Sequence, residues 1–107
     1  MALTPVIPIA APDAAETDPT SPTFKPRTLY ALSRFTRFVN VLGLPAISIP
    51  AGFDDRGRPV GLQVIGRPNT EALLLTIGAA FQDITAWHSR VPAAVAGAIT
   101  SEGEAAA

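Results

Sequence analysis

Two short apolar runs, separated by a polar turn, constrain the fold of this chain more than any other feature. The first run is Ala46–Ile49, in which β-branched residues alternate with Ser48, and the second is Val60–Ile65. Between them, Asp54–Arg58 has the composition of a turn, and Gly57 suits a positive φ. Both faces of the second run are largely apolar, which is typical of a strand covered on two sides in an α/β layer structure. We therefore predict an antiparallel hairpin that requires neighbours on both faces.

A helical pattern precedes the hairpin. The spacing predicts a helix over Thr28–Val39 with Thr28 as its N-cap, and the segment Gly43–Pro45 stops it. One face of this helix is an apolar stripe formed by Leu32, Phe35 and Val39. A second face carries Tyr30, Ser33 and Arg37, at positions i, i+3 and i+7. Two distinct faces on one short helix indicate a core side and a second side with another purpose.

A longer helical pattern follows the hairpin. Thr70 is the predicted N-cap of a helix over Glu71–Ile84, with Glu71 near the positive end of the helix dipole. Its apolar residues recur at spacings of three and four and should pack on the sheet: Leu73, Leu74, Ile77, Phe81 and Ile84. Gln63, on the covered strand, is expected to hydrogen-bond to the backbone or to a neighbouring loop.

The chain divides into four segments. Residues 1–12 are predicted to form a short strand and an entry segment, in which Pro5 and Pro8 permit only a strand end or an edge strand. Residues 13–26 are a Pro-rich loop, residues 27–92 form the ordered part, and residues 93–107 are predicted to be a disordered tail. A unit of this size buries only about 60% of its unfolded surface, so its stability is marginal without a partner surface.

Composition excludes several classes of function. The 107-residue chain has no cysteine, which rules out disulfides and cysteine-based metal or redox sites, and its net charge of −1 argues against a dedicated nucleic-acid binder. No cofactor or metal is expected, because Gly61 and Gly66 lack a dinucleotide-binding context and His88 is a lone histidine. There is no basic leader at Met1 and no apolar stretch of membrane-spanning length, so we expect a cytoplasmic protein without membrane contact.

The ordered series of short motifs resembles the closing part of the amidase signature family, which hydrolyses carboxamide C–N bonds. The series begins with Leu3-Thr4-Pro5 and continues with Phe-Thr-x-x-x-Asn-x-x-Gly-Leu-Pro-Ala over residues 35–46. It then includes Gly61-Leu-Gln-Val-Ile-Gly66 and Thr85-x-Trp-His-x-Arg-x-Pro92. The resemblance implies an α/β fragment of the amidase signature fold: an antiparallel hairpin of a mixed central sheet, with a preceding helix and a following C-terminal helix.

The catalytic residues of that family have no counterpart in this sequence. Amidases of the family use a nucleophilic serine, a second serine on a cis peptide and a lysine that acts as the base. This chain has one lysine, Lys25, in a loop between Phe24 and Pro26, and none of its serines lies in a Gly-Gly-Ser-Ser segment. We therefore assign no catalytic residue and expect the chain to be inactive alone.

The resemblance places Tyr30, Ser33 and Arg37 on a wall of the substrate channel. In glutamyl-tRNA amidotransferase A subunits, the position matching Ser33 carries an aspartate that holds the glutamine donor, so its absence favours a general amidase. Arg37 could instead meet an anionic or polar group of a substrate. The alternative is that these are solvated helix residues with no role in binding.

Three hypotheses follow. The chain is the C-terminal segment of an amidase, encoded separately, truncated or mis-started at Met1; or an interaction module that docks with or complements a separate amidase chain; or a decayed remnant. Under the first, the partner is the missing N-terminal part of an amidase, in cis or in trans, and a small-molecule amide binds only in that context. The substrate stays open among aliphatic amides, aryl amides, indoleacetamide-like compounds and carbamates.

Overall fold

A three-stranded antiparallel sheet forms the centre of the computed structural model, which describes residues 1–97. The strands are β1 (Ala2–Pro5), β2 (Ala46–Phe53) and β3 (Pro59–Ile65), in the order β1-β3-β2. This confirms the predicted hairpin, and the strand predicted within residues 1–12 lies at an edge of the sheet. β3 pairs with a strand along each of its edges and is therefore the central strand of the sheet.

The turn between β2 and β3 is organised by Asp54. One oxygen of its carboxylate accepts hydrogen bonds from the backbone amides of Arg56 and Arg58, each at 2.9 Å. Gly57 in this turn has a φ of 75°, as the sequence predicted. The register pairs Ala46 with Ile65, and an irregularity between Pro50 and Gly52 in β2 shifts the pairing near the turn.

The helix predicted over Thr28–Val39 is wrong in its extent. The structure has two shorter helices, α2 (Pro26–Ala31) and α3 (Arg37–Leu42), preceded by a one-turn helix, α1 (Ala14–Thr17), within the predicted Pro-rich loop. Residues 32–36 between α2 and α3 are a turn, which we name the α2–α3 turn. Thr28 is therefore inside α2 and not at its N-cap, a position that Lys25 occupies.

The second predicted helix is confirmed with its bounds, as α4 (Glu71–Ile84), and a 3₁₀ turn over Trp87–Ser89 follows it. Thr70 stands at the N-cap but makes no capping hydrogen bond, because its hydroxyl donates to the carbonyl of Arg67 at 2.6 Å. The edge of the Trp87 ring meets Phe53 at the end of β2, with 6.3 Å between ring centroids. Trp87 therefore packs against the end of β2, just after α4.

The core lies between α4 and the β2–β3 hairpin. Ile49, Val64 and Leu74 are buried together, and three partly buried residues pack against them: Ile47, Ile77 and Phe81. The apolar stripe of α4 is narrower than predicted, because Leu73 and Ile84 are exposed. One small cluster on one side of the sheet is thus the main hydrophobic core of the described residues.

The last described residues of the chain lie within the tail that was predicted to be disordered. Residues 93–97 are helical, whereas residues 98–107 of the tail that was predicted to be disordered lie outside the described residues. Within residues 1–97, no helix is long and apolar enough to cross a membrane.

Candidate functional site

The α2–α3 turn brings the three sequence-predicted site residues together. Arg37, at the start of α3, extends back over the turn: its Nη2 donates to the carbonyl oxygen of Tyr30 at 2.9 Å, and its Nε donates to that of Ser33 at 3.4 Å. The hydroxyl of Ser33 donates to the same Tyr30 carbonyl at 3.4 Å. The last carbonyls of a helix lack intrahelical partners. The Arg37 guanidinium therefore supplies a hydrogen-bond donor to the end of α2 and places a positive charge there.

This geometry explains why the sequence pattern predicted one helix where two occur. An uninterrupted helix would also have placed Tyr30, Ser33 and Arg37 on one face. The i, i+3, i+7 spacing is therefore compatible with one helix or with two. Tyr30 is 65% exposed and Ser33 is half-buried, while Arg37 is exposed but held by the backbone. Hydrogen bonds to two carbonyl oxygens hold the three residues next to one another at the surface, and their contact with a substrate stays a prediction.

A buried amide, that of Gln63, connects this surface to the sheet. Gln63 is only 5% exposed in the central strand, and its Nε2 donates to the carbonyl of Phe35 and to the hydroxyl of Thr4, both at 2.9 Å. The expectation that Gln63 bonds to backbone or to a loop is confirmed. The sequence did not indicate that the loop would be the α2–α3 turn, since residues 35 and 63 are far apart along the chain.

Lys25 has the electrostatic environment of a structural ion pair. Its Nζ lies 2.8 Å from Oε1 of Glu16. The hydrogen bond to Glu16, with the attraction of that carboxylate, raises the pKa of Lys25 above its ordinary value of 10.5. A lysine that serves as a base must be neutral at working pH, so this pair opposes the chemistry that an amidase lysine performs.

A cavity of about 290 Å³ lies away from this surface, where β1 ends beside the hairpin. Its lining is mostly apolar, with Ser48 and Asp54 as polar members, and includes Val6, Val60 and Gly61. Beside it, Arg58 binds the segment after β1 through the carbonyl of Ala11 and the carboxylate of Asp13. In residues 1–97 there is no group of three His, Cys, Asp or Glu residues that could hold a metal ion.

The family model described as Amidase matches residues 1–75 of the chain. This chain belongs to the amidase family.

The similar proteins are named as glutamyl-tRNA(Gln) amidotransferase A subunits. The one from Thermodesulfovibrio yellowstonii is 44% identical to this chain over 79 residues, a match that covers 67% of this chain and 16% of that protein. The corresponding protein of Halorhodospira halophila is 51% identical over 67 residues, or 63% of this chain and 14% of its own length. That of Bordetella petrii is 55% identical over 58 residues, or 54% and 11%.

The chain therefore spans less than a fifth of the length of these relatives. No solved structure gives a significant match to the chain.

Proposed function

We propose that this chain is the closing segment of a hydrolase of carboxamide C–N bonds, and that residues outside this sequence, in cis or in trans, supply the nucleophile and the base. Two observations support the need for outside residues: the single lysine pairs with Glu16, and no serine lies in a Gly-Gly-Ser-Ser segment. The amidase match over residues 1–75 supports the family of that reaction.

In this proposal, the segment contributes a wall of the substrate channel. The Tyr30 ring is exposed and offers an apolar surface with a terminal hydroxyl, and Ser33 offers a small polar group. Arg37 keeps both residues in place through their carbonyl oxygens, and its positive charge lies at the same surface. A small amide with a polar or anionic group suits such a wall.

A second candidate is a segment of a glutamyl-tRNA(Gln) amidotransferase, the enzyme after which the relatives are named. Identity of about half over the matched residues favours it. Ser33 is the residue against it, since the family resemblance implies an aspartate at this position in those amidotransferases. The two candidates share the reaction, amide cleavage, and differ in the donor amide that the wall selects.

The direct test is a hybrid protein, in which the full chain, residues 1–107, replaces the matching closing segment of the Halorhodospira halophila relative. The control is the same relative truncated without any replacement, and the readout is ammonia release from a panel of small primary amides. We expect turnover by the hybrid and none by the truncated control or by this chain alone. A soluble, folded hybrid that cleaves no amide would contradict the proposal, as would turnover by the isolated chain.

A Ser33→Asp variant of the hybrid separates the two candidates. If the wall serves a general amidase, the added carboxylate should lower kcat/KM for neutral amides and confer no use of glutamine. If the unmodified hybrid already uses glutamine as well as the native relative does, the amidotransferase assignment is favoured. Mixing the truncated relative with the separate chain tests docking in trans: recovered activity and co-purification would support complementation by a non-catalytic module.

A further inference from the structure

A hydrogen bond from the Gln63 side chain to the Phe35 carbonyl joins the α2–α3 turn to the sheet. We propose that Gln63 is a positioning residue, which sets the α2–α3 turn so that Ser33 and Arg37 face the substrate. This inference rests on the proposed function, because it assigns a role in substrate binding to a residue that does not itself reach the surface.

The geometry around Gln63 leaves its amide little freedom. A primary amide has two N–H donors, and both find acceptors at 2.9 Å, in Thr4 and in Phe35. In the sheet, Gln63 is paired with Thr4 of β1 on one side and with Ser48 of β2 on the other. The side chain is therefore fixed by the strand at its base and by two hydrogen bonds at its end.

The Gln63 amide holds the α2–α3 turn through the carbonyl of Phe35. Phe35 lies within the turn, two residues after Ser33 and two before Arg37. The backbone amides of Thr36 and Arg37 both donate to the carbonyl of Ser33, at 3.2 Å and 3.0 Å, so the turn is a small hydrogen-bonded unit. Anchoring Phe35 therefore places the whole unit relative to β3, including the guanidinium that spans Ser33 and Tyr30.

The two hydrogen bonds of Gln63, one to the turn and one to β1, can be tested separately in the hybrid protein. Gln63→Met keeps the length of the side chain and loses both donors, whereas Thr4→Val removes only the acceptor on β1. Gln82→Met makes the same chemical change on the exposed face of α4 and is the matched control. If Gln63→Met fails to fold, Gln63→Asn replaces it, because the shorter amide cannot span the distance to Phe35.

Two readouts decide the outcome. Hydrogen exchange at the amides of Thr36 and Arg37 should become faster in Gln63→Met and stay unchanged in Thr4→Val and Gln82→Met. For amide hydrolysis, KM should rise about three- to tenfold in Gln63→Met, the loss that one net hydrogen bond represents, with kcat within about twofold. Equal effects of Gln63→Met and Thr4→Val on KM would show a general role in the sheet and overturn the proposal.

The same experiment separates the failure of this inference from the failure of the proposed function. Exchange at the turn is measured on the folded hybrid whether or not it cleaves amides, so an inactive hybrid would refute the function alone. An active hybrid in which Gln63→Met changes neither exchange at the turn nor KM would refute the positioning role alone.

Discussion

At the scale of single residues, the ion pair between Lys25 and Glu16 has a defined response to pH. The hydrogen bond from Lys25 lowers the pKa of Glu16 below its ordinary value of 4.5, and the pKa of Lys25 is raised above 10.5. A lowered acid pKa adds stability that is present above 4.5 and is lost as pH falls through the folded value. A raised lysine pKa adds stability that is present below 10.5 and is lost as pH rises through the folded value.

We therefore expect Glu16→Gln to flatten the acid side of the stability profile of the hybrid. The unfolding midpoint of the unmodified protein should fall more steeply than that of the variant between about pH 5 and pH 3, and the effect should weaken in salt. Asp55→Asn is the control, since Asp55 is exposed and makes no ion pair within residues 1–97. Identical acid slopes for the protein and Glu16→Gln would show that the pair has no net effect.

Gly61 gives a prediction about close packing. A Cβ built at this position would lie 2.7 Å from Cγ2 of Val6, which real contacts do not allow. Gly61→Ala should lower the free energy of unfolding by about 1–3 kcal/mol, the usual cost of overpacking. In the hybrid, urea unfolding of Gly61→Ala, Val6→Ala and the double variant forms a cycle: the double variant should be more stable than the sum of the single losses predicts.

The hydrogen bonds of Gln63 illustrate what can and cannot be predicted from the sequence for a single residue. A polar side chain on a covered strand must find partners, so the bonds of Gln63 were foreseeable from burial alone. Their identity was not, because Thr4 and Phe35 come to Gln63 only through the pairing of β1 and the position of a turn distant in sequence. The spacing predicts that Tyr30, Ser33 and Arg37 share one face, and their role stays a prediction. The hydrogen bonds from Arg37 to two carbonyl oxygens have no sequence signal.

At the scale of elements, α4 depends on one deeply buried leucine. Leu74 is 3% exposed in the core cluster with Ile49 and Val64. Leu74→Ala in the hybrid should lower the free energy of unfolding by about 2–5 kcal/mol, because both transfer energy and packing are lost. Asp83→Asn, exposed on another side of the same helix, should change it by less than about 0.5 kcal/mol. Chemical denaturation measures both, and similar losses would contradict the position of α4.

Two of the predicted elements illustrate why some boundaries can be predicted from sequence and others cannot. The bounds of α4 agree because an apolar stripe, an acidic first turn and the polar segment before it all point to the same helix. The helix predicted over residues 28–39 is interrupted where side chains bind two backbone carbonyls. Arg37 binds the carbonyl of Tyr30 and Gln63 binds that of Phe35, and in an unbroken helix these carbonyls would accept from backbone amides. Such competition from tertiary contacts is invisible to a periodicity that both arrangements satisfy.

At the scale of the whole molecule, the surface of residues 1–97 exposes large apolar side chains on two helices, α3 and α4. Large aliphatic side chains stand in solvent on α3 and α4, among them Val41 at 85%, Leu75 at 65% and Ile84 at 82% exposure. Scattered apolar residues are ordinary, but exposed large aliphatic residues on both helices are typical of surfaces that another body covers.

This surface predicts opposite behaviour for the chain alone and for the hybrid. Alone, the chain should aggregate or lack a cooperative melt, because the exposed aliphatic side chains of α3 and α4 and the unpaired edge of β2 favour association. Leu42→Gln combined with Leu75→Gln should make the lone chain more soluble in sedimentation velocity. In the hybrid the same pair should lower the unfolding midpoint, since both leucines are exposed here and would be covered there.

Ala80→Gln, an exposed α4 position without a large side chain, is the control for both measurements. A polar substitution that only improves a free surface would help the hybrid and the lone chain alike. The sign of the change in the hybrid therefore distinguishes a surface that faces water from one that faces the rest of an amidase. A monodisperse lone chain with a sharp melt, and a hybrid that the two glutamines do not destabilise, would contradict a covered surface.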